Sequence, residues 1–120
     1  MEHRKYAIFV YGTLMKGERA DHMLADYEYI GEFVLKDYAL YQVSYYPGIK
    51  EEMGECVIGE AYWVDDACIE EMDRYEDEGS LYLRKTVQIA NERERLESFV
   101  YVYNREVKGP VVRGRWNGQV

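Results

Sequence analysis

Ile8-Phe9-Val10-Tyr11-Gly12-Thr13-Leu14 is the stretch from which the rest of the chain can be read. Residues 6–11 are nearly continuously apolar, the pattern of a strand buried on both faces rather than one face to water. The strand runs directly into a glycine with a hydroxyl beside it. Glycine opens φ values closed to other residues and lets a ligand approach the main chain. Successive N–H groups gathered in such a turn form an anion-binding concavity. Residues 6–11 are therefore expected to be central in a sheet, and the Tyr11–Leu14 backbone to border a pocket.

Working outward, Ala20, Met23, Leu24 and Tyr27 fall at helical spacing and predict a short helix over 19–27. Residues 28–34 and 38–43 alternate partly and read as strands. Tyr46-Pro47-Gly48 carries turn chemistry, residues 50–55 read as a charged loop or hairpin turn, and 56–64 return to strand with Gly59 as a candidate bulge. Asp65 is placed to cap a helix over 66–75, in which Cys68, Ile69, Met72 and Tyr75 form the apolar stripe. Strands follow over 81–90 and 97–103, separated by a turn over 91–95. Residues 105–120 form a loop-rich tail around Trp116, which is expected to seal one end of the sheet. Many strands with two short helices predict an α+β fold, a small mixed sheet curled or closed into a barrel, in one domain spanning 1–120.

Composition narrows the function. The chain has 120 residues, a net charge of −8 and thirteen tyrosines. The acidic balance argues against nucleic acid as partner, because that binding rests on Lys and Arg neutralising phosphates. No apolar run reaches the ~18 residues a membrane span requires. The two cysteines and two histidines have no metal-ligand spacing, so a structural zinc site is not expected. No cofactor is expected either. The charged start, residues 1–5, does not resemble a targeting signal, and a cytoplasmic location with reduced cysteines is expected. The sequence defines no oligomeric state.

The chemistry-bearing candidate is Glu76, in Asp73-Arg74-Tyr75-Glu76. It follows the last residue of the apolar stripe, where the chain leaves the core. Its acidic neighbours Glu70, Glu71, Asp73, Asp77 and Glu78 read as a solvated helix end. Partial burial and like charges both raise a carboxyl pKa, which suits a general acid or base working near neutrality. Glu78 is close enough in sequence to be an alternative. Arg84 is expected to pair with a nearby carboxylate or to meet a substrate's.

Tyr11-Gly12-Thr13-Leu14, then Asp73-Arg74-Tyr75-Glu76, then Tyr82-Leu83-Arg84, resemble in order the γ-glutamylcyclotransferase superfamily, its compact microbial members in particular. Tyr46-Pro47-Gly48, Gly59-Glu60-Ala61-Tyr62 and Gly114-Arg115-Trp116 fit the same pattern. The resemblance implies a small barrel-like sheet and one essential glutamate, matching Glu76, beside the signature loop. It implies a small γ-glutamyl metabolite as substrate, bound by Tyr11, Gly12, Thr13, Leu14 and Tyr82. The implied reaction closes the γ-glutamyl group to 5-oxoproline and releases an amine or amino acid. The substrate's own α-amine is the nucleophile. Two other readings use the same residues: a non-catalytic module binding a small acidic metabolite or peptide end, and hydrolysis of γ-glutamyl compounds by water. Glu76 together with an intact loop favours catalysis over binding alone.

Overall fold

The computed structural model describes residues 5–116. The elements are β1 (Tyr6–Val10), a 3-10 turn (Asp21–Leu24), β2 (Glu28–Gln42), β3 (Pro47–Val64), α1 (Asp66–Glu76), β4 (Tyr82–Ala90), β5 (Arg95–Tyr103) and β6 (Val111–Val112). The strand order is β3-β1-β5-β4-β2-β6, and β2 also pairs with β3, so the first five strands close into a barrel with β6 appended to β2. The sheet is mixed. β1 runs antiparallel to β3 (Tyr6 opposite Val64, Val10 opposite Glu60) and parallel to β5 at Ile8 and Phe99. The charged start at residues 1–4 and Gly118 lie outside the described residues.

β1 occupies the central position its apolar run requires. Ala7, Ile8, Phe9 and Val10 are all buried, and they join Phe33, Leu35, Leu40, Ile49, Val57 and Ile89 in one core. Gly59 opposes β1 closely: a Cβ there would meet the Val10 carbonyl oxygen at 2.4 Å and the Phe9 ring at 2.7 Å. Gly59 is thus a site of close backbone approach and not a bulge, and its pairing with Phe33 is regular. The irregularities fall instead between Tyr29 and Gly31 and between Lys36 and Tyr38, where Asp37 has φ 65°.

Three further expectations are corrected. Residues 28–34 and 38–43 are not two strands but one, β2, bent at Asp37, whose carboxylate accepts the Gly54 N–H at 3.0 Å from the facing strand. Pro47 and Gly48 begin β3 rather than forming a turn, and residues 50–55 continue it. Tyr38–Gln42 pairs with Pro47–Glu51 across a hairpin turned by residues 43–46. Charged side chains on 50–55 mislead because this part of the hairpin is largely solvent-exposed. The helix expected over 19–27 is only the 3-10 turn Asp21–Leu24. Ala20 N–H is drawn to Thr13 O (2.8 Å) and the Gly17 N–H to the Asp21 carboxylate (3.0 Å), so the segment is folded onto the preceding loop.

α1 starts where Asp65 permits. Its carboxylate accepts the Cys68 N–H at 3.0 Å and the Tyr27 hydroxyl at 3.0 Å, and Cys68, Ile69 and Met72 are buried against the barrel. The helix ends at Glu76 because Asp77 turns left-handed (φ 53°, ψ 53°). An Asp65→Ala variant is expected to lose about 1–2 kcal/mol, the upper part of the range for an N-cap because Tyr27 also loses its acceptor. Urea unfolding of the two proteins measures it. Among the described residues no helix is long and apolar enough to cross a membrane.

Candidate active site

The loop after β1 is held by its carbonyls. Met15 N–H donates to Gly12 O at 3.0 Å and Ala20 N–H to Thr13 O at 2.8 Å, while the Lys16 N–H is taken by the buried Glu60 carboxylate of β3 at 2.9 Å. These bonds fix the loop and leave the N–H groups of Gly12, Thr13 and Leu14 with no acceptor among the described residues. All three residues are buried. Backbone N–H groups in buried segments are nearly always paired, so three unpaired ones in succession are donors available to an acceptor.

Gly12 does not use the conformational freedom expected of it, since its φ is not positive. What it supplies is the lack of a side chain. A Cβ at position 12 would lie 2.6 Å from Pro47 Cγ and 2.9 Å from Pro47 Cδ. Pro47 cannot yield easily, because the Tyr82 hydroxyl donates to its carbonyl at 2.6 Å. Gly12→Ala is therefore expected to push the loop off the barrel and cost about 1–3 kcal/mol, the usual price of overpacking. Thermal unfolding checks the stability, and weakened ligand binding would report the displaced N–H groups.

Loop, helix end and hairpin together enclose a cleft of about 260 Å³. Tyr11, Gly12, Thr13 and Leu14 form one wall, Tyr75 and Glu76 from the end of α1 a second, and Tyr45–Pro47 with Phe9, Val10, Leu81, Tyr82 and Tyr101 the rest. Most of its hydroxyls are committed. Tyr11 donates to Tyr101 O at 2.7 Å, Thr13 Oγ1 and the Tyr75 hydroxyl share a 2.7 Å hydrogen bond, and the Tyr101 hydroxyl donates to Asp73 Oδ1 at 2.7 Å. The last bond belongs to a knot that fixes the end of α1. Asp73, one turn before Glu76, is also ion-paired with Arg84 of β4, so the helix end is tied to β4 and β5.

Glu76 is the one charged residue on the cleft wall. The residue is partly exposed, but its carboxyl group sits deep, and burial alone pushes its pKa from 4.5 up to about 7. No side chain among the described residues hydrogen-bonds or ion-pairs with it. The nearby acidic cluster contributes nothing to the shift, which departs from the like-charge effect expected. Asp73 is neutralised by Arg84, Asp77 is exposed, and the exposed Glu78 accepts the Arg84 N–H at 3.2 Å. Glu78 does not line the cleft, and Arg84 is spent on Asp73. Burial raises the Tyr82 and Tyr11 phenols well above their ordinary value, and the Glu76 charge adds to it.

The structure thus brings together all six residues singled out in the sequence: Tyr11, Gly12, Thr13, Leu14, Glu76 and Tyr82. It adds Tyr45, Tyr46, Pro47, Tyr75 and Tyr101. Tyr75 was legible as a member of the apolar stripe and of the Asp73–Glu76 motif but not as a wall residue, and Tyr101 only as a strand residue. Trp116 is buried and donates from Nε1 to Gln42 Oε1 at 2.7 Å, outside the cleft wall. Among the described residues no group of His, Cys, Asp and Glu is arranged to hold a metal ion.

The chain as a whole matches a known family. The family model described as γ-glutamyl cyclotransferase, AIG2-like, aligns with residues 8–118. The chain belongs to this family. Among its relatives is the γ-glutamylcyclotransferase family protein YtfP of Escherichia coli K12, 33% identical over 102 residues, covering 85% of this chain and 86% of that one. The γ-glutamylaminecyclotransferase of mouse is 30% identical over 96 residues, covering 68% of this chain and 62% of that protein. In three dimensions, the crystal structure of an AIG2-like protein from mouse superimposes with a TM-score of 0.76 at 27% identity, over 83% of this chain and 78% of that one. The barrel described above is therefore the family's fold, and the cyclotransferase character holds at the level of the family.

Proposed function

We propose that this chain cyclises the γ-glutamyl group of a small γ-glutamyl amide or dipeptide to 5-oxoproline, with Glu76 as general base and then general acid. The observation that carries the reading is the meeting of two features in one cleft: a buried carboxyl group with a pKa of about 7, and three successive buried residues whose N–H groups have no acceptor among the described residues.

The chemistry follows from the groups. The substrate's α-ammonium gives a proton to the Glu76 carboxylate, and the freed amine nitrogen attacks the γ-carbonyl carbon. A C–N bond forms, closing a five-membered ring, and the carbonyl oxygen becomes an oxyanion. As the bond to the leaving nitrogen breaks, Glu76 returns the proton to it. The ring nitrogen loses its second proton to the departing amine, so the products are 5-oxoproline and the amine as its ammonium ion, with Glu76 again ionised. The reaction needs no enzyme nucleophile, metal or cofactor. The Gly12–Leu14 N–H groups bind an oxygen anion of the substrate, its α-carboxylate or the developing oxyanion. Tyr11 and Tyr82, held by their own hydrogen bonds, keep the chain bent so that amine and carbonyl meet. Such orientation is worth roughly several kcal/mol.

The test is a panel of γ-glutamyl amides and dipeptides, with 5-oxoproline scored by mass spectrometry. Each compound is run beside its N-acetylated form. Loss of product on acetylation is expected, because the acetylated nitrogen no longer attacks. Release of glutamate from the free form and of N-acetylglutamate from the acetylated form would overturn cyclisation in favour of hydrolysis, and binding without any turnover would leave only the binding module.

A further inference from the structure

The cleft wall has a direction. From Tyr82, which feels the charge of Glu76, the rings step outward: Tyr82 to Tyr46 at 6.5 Å, then Tyr46 to Tyr45 at 5.1 Å, nearly perpendicular. These are ordinary aromatic contact distances. The series ends at Tyr45, which is 53% exposed. Tyr45 thus presents a half-exposed aromatic face at the rim of the cleft, available for an apolar or aromatic group of a ligand to cover.

A cation stands at the same place. The Arg19 guanidinium lies 4.8 Å from the centre of the Tyr45 ring. It has no carboxylate partner among the described residues, in a chain with 23 acidic and 15 basic residues. A guanidinium stacked on an aromatic ring keeps its N–H edge free to bind a carboxylate. A second guanidinium, Arg105, donates to Ser80 Oγ at 3.1 Å beside the cleft residue Leu81, and its charge reaches Tyr46. The only carboxylate on the wall is Glu76, which the substrate's α-ammonium occupies. Arg19 and Arg105 bring positive charge to the Tyr45–Tyr46 end of the cleft, which disfavours a second ammonium there.

We infer that the leaving group this site selects is a large apolar or aromatic α-amino acid, its side chain on the Tyr46–Tyr45 wall and its carboxylate on Arg19, and not a cationic amine. The inference rests on the cyclotransferase reading above. It separates this chain's substrate from what the mouse relative's name describes, a γ-glutamyl amine.

Four compounds test it: γ-glutamyl-phenylalanine, γ-glutamyl-phenethylamide (the same ring without the carboxylate), γ-glutamyl-alanine and γ-glutamyl-putrescine. In the wild-type protein, kcat/KM for the phenylalanine compound is expected to exceed each of the others by about tenfold or more, the scale of one charge-assisted hydrogen bond or one well-covered ring. Arg19→Gln should bring the ratio of phenylalanine to phenethylamide close to one. Tyr45→Ser should do the same to the ratio of phenylalanine to alanine. Both side chains are exposed, so these variants fold. If the phenethylamide or the putrescine compound turns over as well as the phenylalanine compound, the inference fails while cyclisation stands. A ratio unmoved by Arg19→Gln also overturns it. If none of the four yields 5-oxoproline, but a γ-glutamyl compound outside this set does, the inference again fails alone. No 5-oxoproline from any γ-glutamyl compound removes the cyclotransferase reading and the inference with it.

Discussion

Glu76→Gln is expected to lower kcat by about 10²–10⁴-fold on a γ-glutamyl substrate, the range for loss of a general acid–base group. Glutamine keeps the size and the hydrogen bonding of the carboxyl group but takes no proton from an α-ammonium. KM should change little if the group matters mainly in the transition state. The pH profile supplies a second readout. A base must be ionised, so wild-type kcat/KM should rise with pH through about 7, the value to which burial pushes the free carboxyl group. In the complex the α-ammonium lies beside it and favours its ionised form, so the same limb in kcat should fall at lower pH. Both limbs should vanish in the Gln variant. Asp77→Asn is the control: Asp77 is exposed at the end of α1, and its loss should do far less. Equal rates for wild type and Glu76→Gln would end the mechanism whatever the substrate.

Much of this arrangement was legible in the chain itself, and the illegible parts have physical causes. β1 is readable because burial on both faces leaves an unbroken apolar run, and α1 because Asp65 and the stripe through Met72 mark its start and its inner face. Tyr75 ends that stripe and Glu76 follows it, where the chain leaves the core beside the loop. The hairpin of β2 and β3 was harder. Its outer part, residues 50–55, has few buried side chains and hence no period to read, and its pairing is set by strands that close a barrel.

The cleft was half legible. Gly12 was expected to serve through a special φ, but it serves through the Pro47 ring packed against it, a contact between segments far apart in sequence. Tyr46, Tyr82 and Tyr101 come from three separated parts of the chain. On a strand a tyrosine reads as packing, and only closure of the sheet decides which of thirteen line a cavity. The knot of Asp73, Arg84 and Tyr101 had one visible end, the expected pairing of Arg84. That it silences Asp73 as a charge beside Glu76 depends on geometry the spacing does not contain.

Glu76→Gln should also make the protein more stable at alkaline pH, by about 3 kcal/mol, and this does not depend on the substrate. The reasoning is linkage. The folded protein holds the Glu76 carboxyl group with a pKa near 7, against 4.5 for an ordinary glutamate, because its charged form is poorly solvated in the cleft. Below about pH 4.5 the group is protonated in both folded and unfolded chains and costs nothing. As pH rises through 4.5 the unfolded chain ionises first and is favoured. Stability is therefore lost progressively between about pH 4.5 and 7, and above pH 7 the loss is constant. A rise from 4.5 to about 7 corresponds to about 3 kcal/mol at 1.36 kcal/mol per pH unit. Glutamine does not ionise, so the variant should escape this loss. Other carboxylates act in the opposite sense at lower pH: Asp66, hydrogen-bonded by Lys5 and Tyr6, has its pKa lowered, and it is common to both proteins and cancels in the difference. Urea unfolding at pH 4 and pH 8 decides the matter. The two proteins should be nearly equal at pH 4 and well separated at pH 8, with the slower, Gln-bearing enzyme the more stable. A difference that does not change with pH would show that the carboxyl group is solvated in the folded chain, and it would remove the basis for assigning Glu76 a pKa suited to catalysis.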